Sequence, residues 1–216
     1  MAALFTPRAN TLVRLFFGLV LATPAAVVLG LMLLARTPEA NAQFDPPVQP
    51  IQFDHRHHVG DDGIDCRYCH SGVERSPYAG VPPVALCMNC HAQVWNRSPL
   101  LAPLRAAWFE DKSIPWERVY RLPDYVYFNH SIHVNKGVGC VTCHGRVDLM
   151  PAVEKVTPLT MGWCLECHRD PAPRLRPREA LTNMTWKPEG DAREAGERLK
   201  AQYHVQTRTA CTTCHR

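Results

Sequence analysis

The longest apolar stretch of the chain lies near its N-terminus. Residues Leu15 to Ala35 carry no charge over 21 positions, and as a helix they would be about 31 Å long, which matches the apolar layer of a bilayer. Arg8 and Arg14 precede the stretch without any acidic residue. The positive-inside rule therefore predicts a single-pass protein of the cytoplasmic membrane, with its N-terminus in the cytoplasm and everything after Arg36 on the periplasmic or outer face.

A cleaved secretory leader is the alternative interpretation of this stretch. Ala40, Asn41 and Ala42 resemble the small-residue site at which such leaders are cut. The apolar segment of a signal peptide is about 7–15 residues long, however, and this one is longer. A retained transmembrane anchor over residues 15–35 is therefore the favoured prediction.

Beyond the anchor, only a few segments have the apolar spacing of regular structure. Leu100–Phe109 and Asp191–Tyr203 are predicted to be helices. The 19 prolines of the chain favour loops elsewhere, because proline interrupts both helices and sheets. We expect a mostly helical and irregular fold with little β-structure.

All ten cysteines fall in five Cys-x-x-Cys-His strings, the attachment pattern of c-type haem. Two thiols at positions i and i+3 lie on one side of a helical turn, where each can form a thioether with one haem vinyl group. The histidine that follows can reach the iron as its proximal ligand. The predicted thioether residues are Cys66, Cys69, Cys87, Cys90, Cys140, Cys143, Cys164, Cys167, Cys211 and Cys214, and the proximal ligands are His70, His91, His144, His168 and His215.

The strings exclude other interpretations of the cysteines and of the charge. Disulfides, zinc ribbons and redox dithiols do not require a histidine after every second cysteine, so five covalently bound haem c groups are the predicted cofactors. The formal charge of +4 then falls to about −1 with oxidised haems and about −6 with reduced haems, since each ferric haem adds about −1. A nucleic-acid partner is therefore not expected.

The haem-binding part contains an internal duplication. Phe53-x-His55-x-x-His58 precedes Cys66, and Phe128-x-His130-x-x-His133 precedes Cys140, at an offset of 75 residues. We call these two segments the first and second histidine boxes. The predicted organisation is a cytoplasmic N-terminus (1–14), the anchor (15–35), a linker (36–52), a first dihaem repeat (53–97), a spacer (98–127), a second dihaem repeat (128–170) and a C-terminal segment with the fifth haem (171–216).

The histidine boxes are the predicted source of the distal ligands. Two histidines three residues apart on a helical turn share one face, so each box can serve two neighbouring irons. This predicts His55, His58, His130 and His133 as four of the five distal ligands. The fifth ligand stays open among Met150, Met161, His204 and His57. The aromatic side chains of the spacer, among them Trp108, Trp116, Tyr120, Tyr125 and Tyr127, are expected to cover haem edges.

The order of these motifs resembles the membrane-anchored pentahaem cytochrome c component of bacterial alternative complex III. The resemblance runs nearly from end to end. It includes Pro7–Thr11 before the anchor, Phe53–His70 with its run from His57 to Asp65, Phe128–His133, and Met161-Gly162-Trp163-Cys164.

The resemblance implies class III or c7-like haem packing and an electron-relay function without a catalytic site of the chain's own. The implied partners are an iron–sulfur subunit that donates electrons, an integral membrane quinol-oxidising subunit, and a cytochrome c or terminal oxidase that accepts them. It further implies that most irons have two histidine ligands and allows one His/Met iron. We expect no fused cytochrome domain after His215.

Two other functions are compatible with several haems. A stand-alone, membrane-anchored quinol dehydrogenase cytochrome would need an open or acid-ligated iron next to the bilayer. A reductase of nitrogen or sulfur oxides would need an open or lysine-ligated iron, and the sequence contains no Cys-x-x-Cys-Lys string. If every iron has two protein ligands, substrate cannot reach the metal, and electron relay is the favoured function.

Overall fold

A computed structural model describes residues 6–215 and divides the chain into two units, residues 1–43 and residues 44–216. The first unit consists of helix α1, Pro7–Leu34, followed by turns. The side chain of Thr6 caps the helix by accepting a hydrogen bond from the backbone nitrogen of Ala9 (3.2 Å). Part of the predicted cytoplasmic segment, residues 1–5, lies outside the described residues.

Helix α1 confirms the predicted N-terminal apolar helix, although it begins eight residues before Leu15. The earlier start follows from Thr6 as the cap and Pro7 at the first helical position, where proline is favoured because its missing N–H has no partner in a helix anyway. Its side chains are almost all exposed, and its length and composition are sufficient to cross a membrane. That it does cross a membrane stays a prediction.

The second unit is built from short helices joined by long loops. Between residues 44 and 215 this unit has a π-helical turn over Arg56–Asp61 and 3₁₀ turns over Pro99–Leu101, Val147–Leu149, Ala172–Arg174 and Arg178–Ala180. Its α-helices are α2 Cys66–Cys69, α3 Val84–His91, α4 Ala102–Phe109, α5 His130–Asn135, α6 Val141–His144, α7 Met161–Arg169, α8 Ala192–Gln202 and α9 Cys211–Cys214.

The prediction of a helical and irregular fold with little β-structure is confirmed. Over the described residues, β-pairing is limited to one isolated antiparallel bridge between Val138 and Leu175. The predicted helix at Leu100–Phe109 forms as a 3₁₀ turn that continues into α4. The predicted helix at Asp191–Tyr203 forms as α8, and the Asp191 carboxylate caps it by accepting from the backbone nitrogen of Glu194 (2.8 Å).

The second unit buries few apolar side chains for its length. Five of the nine that are described as buried come from one region, Ala172 to Met184, and the other four are Ile51, Leu104, Val134 and Tyr203. In that region α8 lies directly on the 3₁₀ turn Ala172–Arg174, and a Cβ at Gly196 would collide with the carbonyl oxygen of Ala172. Only glycine at position 196 therefore allows this close approach.

This contact generates a stability prediction. Gly196→Ala should lower the free energy of unfolding by about 1–3 kcal/mol, because the added methyl group has to push α8 away from Ala172. The measurement is chemical denaturation of the haem-loaded chain. Glu197→Ala is the matched control, since Glu197 is the next residue on the same helix and is exposed; it should change the stability by less than about 0.5 kcal/mol. Equal stability of Gly196→Ala and the parent chain would contradict the packing.

Candidate functional site

Each of the five Cys-x-x-Cys-His strings lies on a single helical turn. The turns are α2, the second half of α3, the segment from Cys140 through α6, the middle of α7, and α9. In the first, third and fifth strings the backbone nitrogen of the histidine donates to the carbonyl of the first cysteine, at 2.8–2.9 Å. All ten cysteines lie within the described residues, and none of them forms a disulfide. The strings therefore present two thiols and one imidazole each, as thioether attachment requires.

The third, fourth and fifth attachment turns lie near one another. Burial, with the charges of Cys167 and Cys164, raises the pKa of the Cys143 thiol to about 11. The third and fourth strings are therefore neighbours. Burial, with the charge of Cys214, likewise raises the pKa of Cys164, so that the fourth and fifth strings are also close.

The structure places three box histidines opposite three proximal histidines. The ring centroids of His58 and His91 are 6.1 Å apart, those of His130 and His144 are 6.4 Å apart, and those of His133 and His168 are 6.0 Å apart. The ring planes of these pairs meet at 67°, 9° and 60°, respectively.

These distances fit an iron held between two imidazoles. A metal–imidazole bond is about 2 Å long and the nitrogen lies roughly 1.2 Å from the ring centre, so rings on opposite sides of one metal have centroids about 6.4 Å apart. Both rings contain the bond axis, so the angle between their planes is free to vary. The residues present therefore fit a haem iron at each of the three pairs.

His55 is the fourth box histidine, and the strongest charge repulsion that it experiences comes from His70. Burial, with repulsion from His70 and His58, lowers the pKa of His55 to about 4. Burial, with repulsion from His130, His70 and His55, lowers the pKa of His144 to about 4 as well. Both imidazoles are therefore neutral at physiological pH, which is the form that binds a metal.

Backbone carbonyls orient most of these imidazoles. A carbonyl can only accept, so the bonded Nδ1 carries the proton and leaves Nε2 free for a metal. The bonds are His58 to Asp54 (3.0 Å), His70 to Gly80 (2.7 Å), His91 to Val94 (3.0 Å), His130 to Pro77 (2.8 Å), His133 to Asn129 (2.7 Å), His168 to Arg208 (2.9 Å) and His215 to Tyr125 (3.0 Å). His55 differs, because its Nδ1 is buried without a hydrogen-bond partner.

The carbonyl acceptors were not anticipated from the sequence. Every residue carries a backbone carbonyl, so no residue type marks these positions in advance. Only the spacing within a box gives a hint, since the Nδ1 atoms of His58 and His133 both bond the carbonyl four residues earlier.

The four candidates for the fifth distal ligand lie in different environments. His57 is exposed and its Nδ1 bonds the carboxylate of Asp61 (2.8 Å). His204 is exposed, and Met161 is 68% exposed. Met150 is half-buried beside Gly145. The identity of the fifth ligand stays a prediction among these four.

Aromatic residues of the spacer contact two of the proximal histidines. The ring of Tyr120 lies 4.5 Å from that of His144, and its hydroxyl is within hydrogen-bonding distance of the Cys143 carbonyl (3.2 Å). The ring of Tyr125 lies 5.8 Å from that of His215. Spacer aromatics therefore pack beside the third and fifth strings.

Residues 126–216 match the family described as cytochrome c7 and related cytochrome c. This C-terminal segment is similar to that family. A curated relative, the menaquinone reductase multihaem cytochrome c subunit of Nitratidesulfovibrio vulgaris (strain Hildenborough), is 38% identical over 97 residues. The aligned part covers 44% of this chain and 45% of that relative, so the chain spans less than half of the relative's length.

The family match includes the third, fourth and fifth strings. The two earlier strings have the same pattern, and the matched family indicates c-type haem as the group that such strings hold. When bound, the haems supply reversible one-electron chemistry at iron.

The first box allows a direct test of the distal ligands. His58→Ala should convert one of the low-spin ferric irons to high spin, because the ring that faces His91 is lost. The measurement is low-temperature electron paramagnetic resonance of the purified, haem-loaded chain.

His57→Ala is the matched control for this experiment. His57 is adjacent in sequence but bonds Asp61 and is exposed, so every low-spin signal should persist in this variant. Unchanged spectra in His58→Ala would contradict the assignment of His58. A signal lost in His57→Ala would instead make His57 the fifth distal ligand.

Proposed function

We propose that the chain is a pentahaem cytochrome c that relays electrons within a quinone-linked membrane complex and carries out no substrate chemistry of its own. The observation that supports this most directly is the placement of box histidines opposite proximal histidines at 6.0–6.4 Å. An iron between two such rings has no free coordination position. A substrate could then exchange electrons with the chain but could not bind its metal.

The ligand assignment follows the two boxes. His55 and His58 serve the sites of His70 and His91, and His130 and His133 serve those of His144 and His168. The carbonyl bonds to Nδ1 hold the rings in position and raise the basicity of the ligating nitrogen. A rigid ligand pair of this kind changes little between the oxidised and reduced states, which favours rapid electron transfer over chemistry.

The membrane association rests on helix α1. Its apolar residues, with Arg8 and Arg14 near its N-terminal end, favour a single-pass anchor whose haem-binding unit lies on the periplasmic or outer face. Such an anchor would keep the chain beside its partners in a complex, whereas a free cytochrome would diffuse away from them.

The complex that we propose is alternative complex III or a close counterpart. The sequence strings resemble its pentahaem component, and the relative from Nitratidesulfovibrio vulgaris is named as part of a menaquinone reductase. Both point to a quinone-linked complex. The partners would be an iron–sulfur subunit, an integral membrane quinol-oxidising subunit, and a cytochrome c or terminal oxidase as acceptor.

A stand-alone quinol dehydrogenase is the second candidate function. The relative's name connects a multihaem cytochrome c with menaquinone, although it names a subunit of a reductase, which delivers electrons to the quinone, the reverse of quinol oxidation. This function would require the chain by itself to be reduced by quinol.

Carbon monoxide binding tests the relay proposal, because this ligand needs an open ferrous coordination position. The reduced, purified chain should bind carbon monoxide at no more than one of its five irons, the one whose distal ligand is unassigned. The measurement is a spectrophotometric titration normalised to the haem content of the chain.

Menaquinol added to the same preparation separates the two candidate functions. The relay proposal predicts that haem reduction by menaquinol is slow without the partner proteins, whereas dithionite reduces every haem. Carbon monoxide bound at two or more irons, or rapid reduction by menaquinol alone, would overturn the proposal in favour of a dehydrogenase.

A further inference from the structure

The two halves of the duplication meet at the beginnings of their first attachment strings. Asp65, directly before Cys66, accepts a hydrogen bond from the hydroxyl of Thr182 (2.7 Å). The backbone nitrogen of Cys140 donates to the carbonyl of Leu181 (3.1 Å). Two adjacent residues of one loop therefore hold the first cysteine of each half.

A buried arginine fixes the loop that makes this junction. The guanidinium of Arg176 donates to the carbonyls of Ala180 (3.3 Å) and Asn183 (2.9 Å), which flank Leu181 and Thr182. Its side chain is one of the few buried charged groups described. The junction is therefore a built part of the fold and not a contact between mobile loops.

The first cysteines of the two strings therefore lie at this junction. Asp65, next to Cys66, and Cys140 itself are bound by adjacent residues of the loop. Cys66 and Cys140 each supply the first predicted thioether sulfur of their own string. The first and third sites, numbered by their order along the chain, therefore approach each other at the first cysteines of their strings.

The histidine boxes also cross between the halves. The backbone nitrogen and the Nδ1 of His130 both donate to the carbonyl of Pro77, at 3.2 and 2.8 Å, and Pro77 follows the string of the first site. In the same region the amide of Asn135 donates to the carbonyl of Glu74 (2.9 Å). The loop after the first site thus orients the distal ring of the third site.

A reciprocal contact joins the first box to the second half. An ideal Cβ on Gly60 would lie 2.9 Å from the carbonyl oxygen of Asp148. Gly60 and Asn135 occupy matching positions of the duplication, and so do Asp148 and Glu74. The halves therefore pack with approximate two-fold symmetry about the first and third sites.

The remaining sites lie outward from this centre. The second site belongs to the first box through His58, whose ring faces His91. The fourth site belongs to the second box through His133, whose ring faces His168. The fifth site follows the fourth, since the Nδ1 of His168 bonds the carbonyl of Arg208, three residues before Cys211.

We propose that the five sites are arranged in space in the order second, first, third, fourth, fifth, and not in their order along the chain. This proposal rests on the proposed function, because it takes the histidine pairs as the ligands of the irons. It makes the second and fifth sites the two ends of the row, and the junction at Leu181 and Thr182 its centre.

The test uses the charge of one iron to perturb its neighbour. His130→Met gives the third site a His/Met iron, and the sulfur-to-iron charge-transfer band that this variant adds to the spectrum of the parent chain reports the midpoint potential of that site. In this background, His55→Ala alters the first site and His58→Ala alters the second. The two changes are matched, since they remove the same ring from the same box three residues apart.

His55→Ala should move the midpoint of the third site to a more negative potential. Loss of the ring stabilises the reduced first iron, and an electron already held there disfavours a second electron close by. His58→Ala should leave that midpoint unchanged, because the first site lies between the second and the third.

Other outcomes overturn the proposal in distinguishable ways. A shift caused by His58→Ala and not by His55→Ala would restore the order along the chain and leave the relay function intact. If neither variant shifted the midpoint potential of the third site, the first and third sites would not be neighbours, and the proposed order would be wrong. If His130→Met added no charge-transfer band to the spectrum of the parent chain, the ligand assignment of the proposed function would be wrong, and the order of the sites with it. If His55→Ala fails to accumulate, His55→Lys and His58→Lys are used instead, because lysine can serve as the sixth ligand. The proposed order predicts that only His55→Lys shifts the midpoint potential of the third site.

Discussion

The hydrogen bond from an imidazole Nδ1 to a backbone carbonyl is the interaction on which the arrangement of this protein depends. It recurs in both boxes and at four of the five proximal histidines. It fixes the tautomer and the ring orientation at once, so that Nε2 points to where a second ring faces it. Without it, a short loop could not hold a flexible side chain at the geometry that an iron requires.

These bonds matter more here than in an ordinary domain because the protein core is small. Buried apolar side chains are few over the described residues, and they concentrate around Ala172–Met184. A unit of this length would normally be stabilised by a continuous apolar core. The proposed five porphyrins would supply a comparable amount of apolar surface, so short helices suffice to carry thiols and imidazoles to their edges and faces.

The duplication gives the two halves equal geometry in some places and different geometry in others. Phe53 stacks on His58 at 4.4 Å as Phe128 stacks on His133 at 4.6 Å. The first box nevertheless forms a π-helical turn where the second forms α5. His130 also has a carbonyl partner from the other half, whereas the Nδ1 of the equivalent His55 has none. The proposed distal ligands of the first and third sites are both histidines, but only His130 has a carbonyl bonded to its Nδ1. The two irons would therefore have different electrostatic environments.

The sequence by itself determined the cysteine–histidine strings, the two boxes, the N-terminal apolar helix and the helices near Leu100 and Asp191, because these depend on local spacing and capping. It could not determine that Pro77 would orient His130, or that Leu181 and Thr182 would join Cys140 to Asp65. Backbone carbonyls carry no residue signature, and contacts between segments far apart along the chain have no local period. The pairing of rings, and the contacts from which the order of the sites is proposed, therefore depend on how the chain folds back on itself.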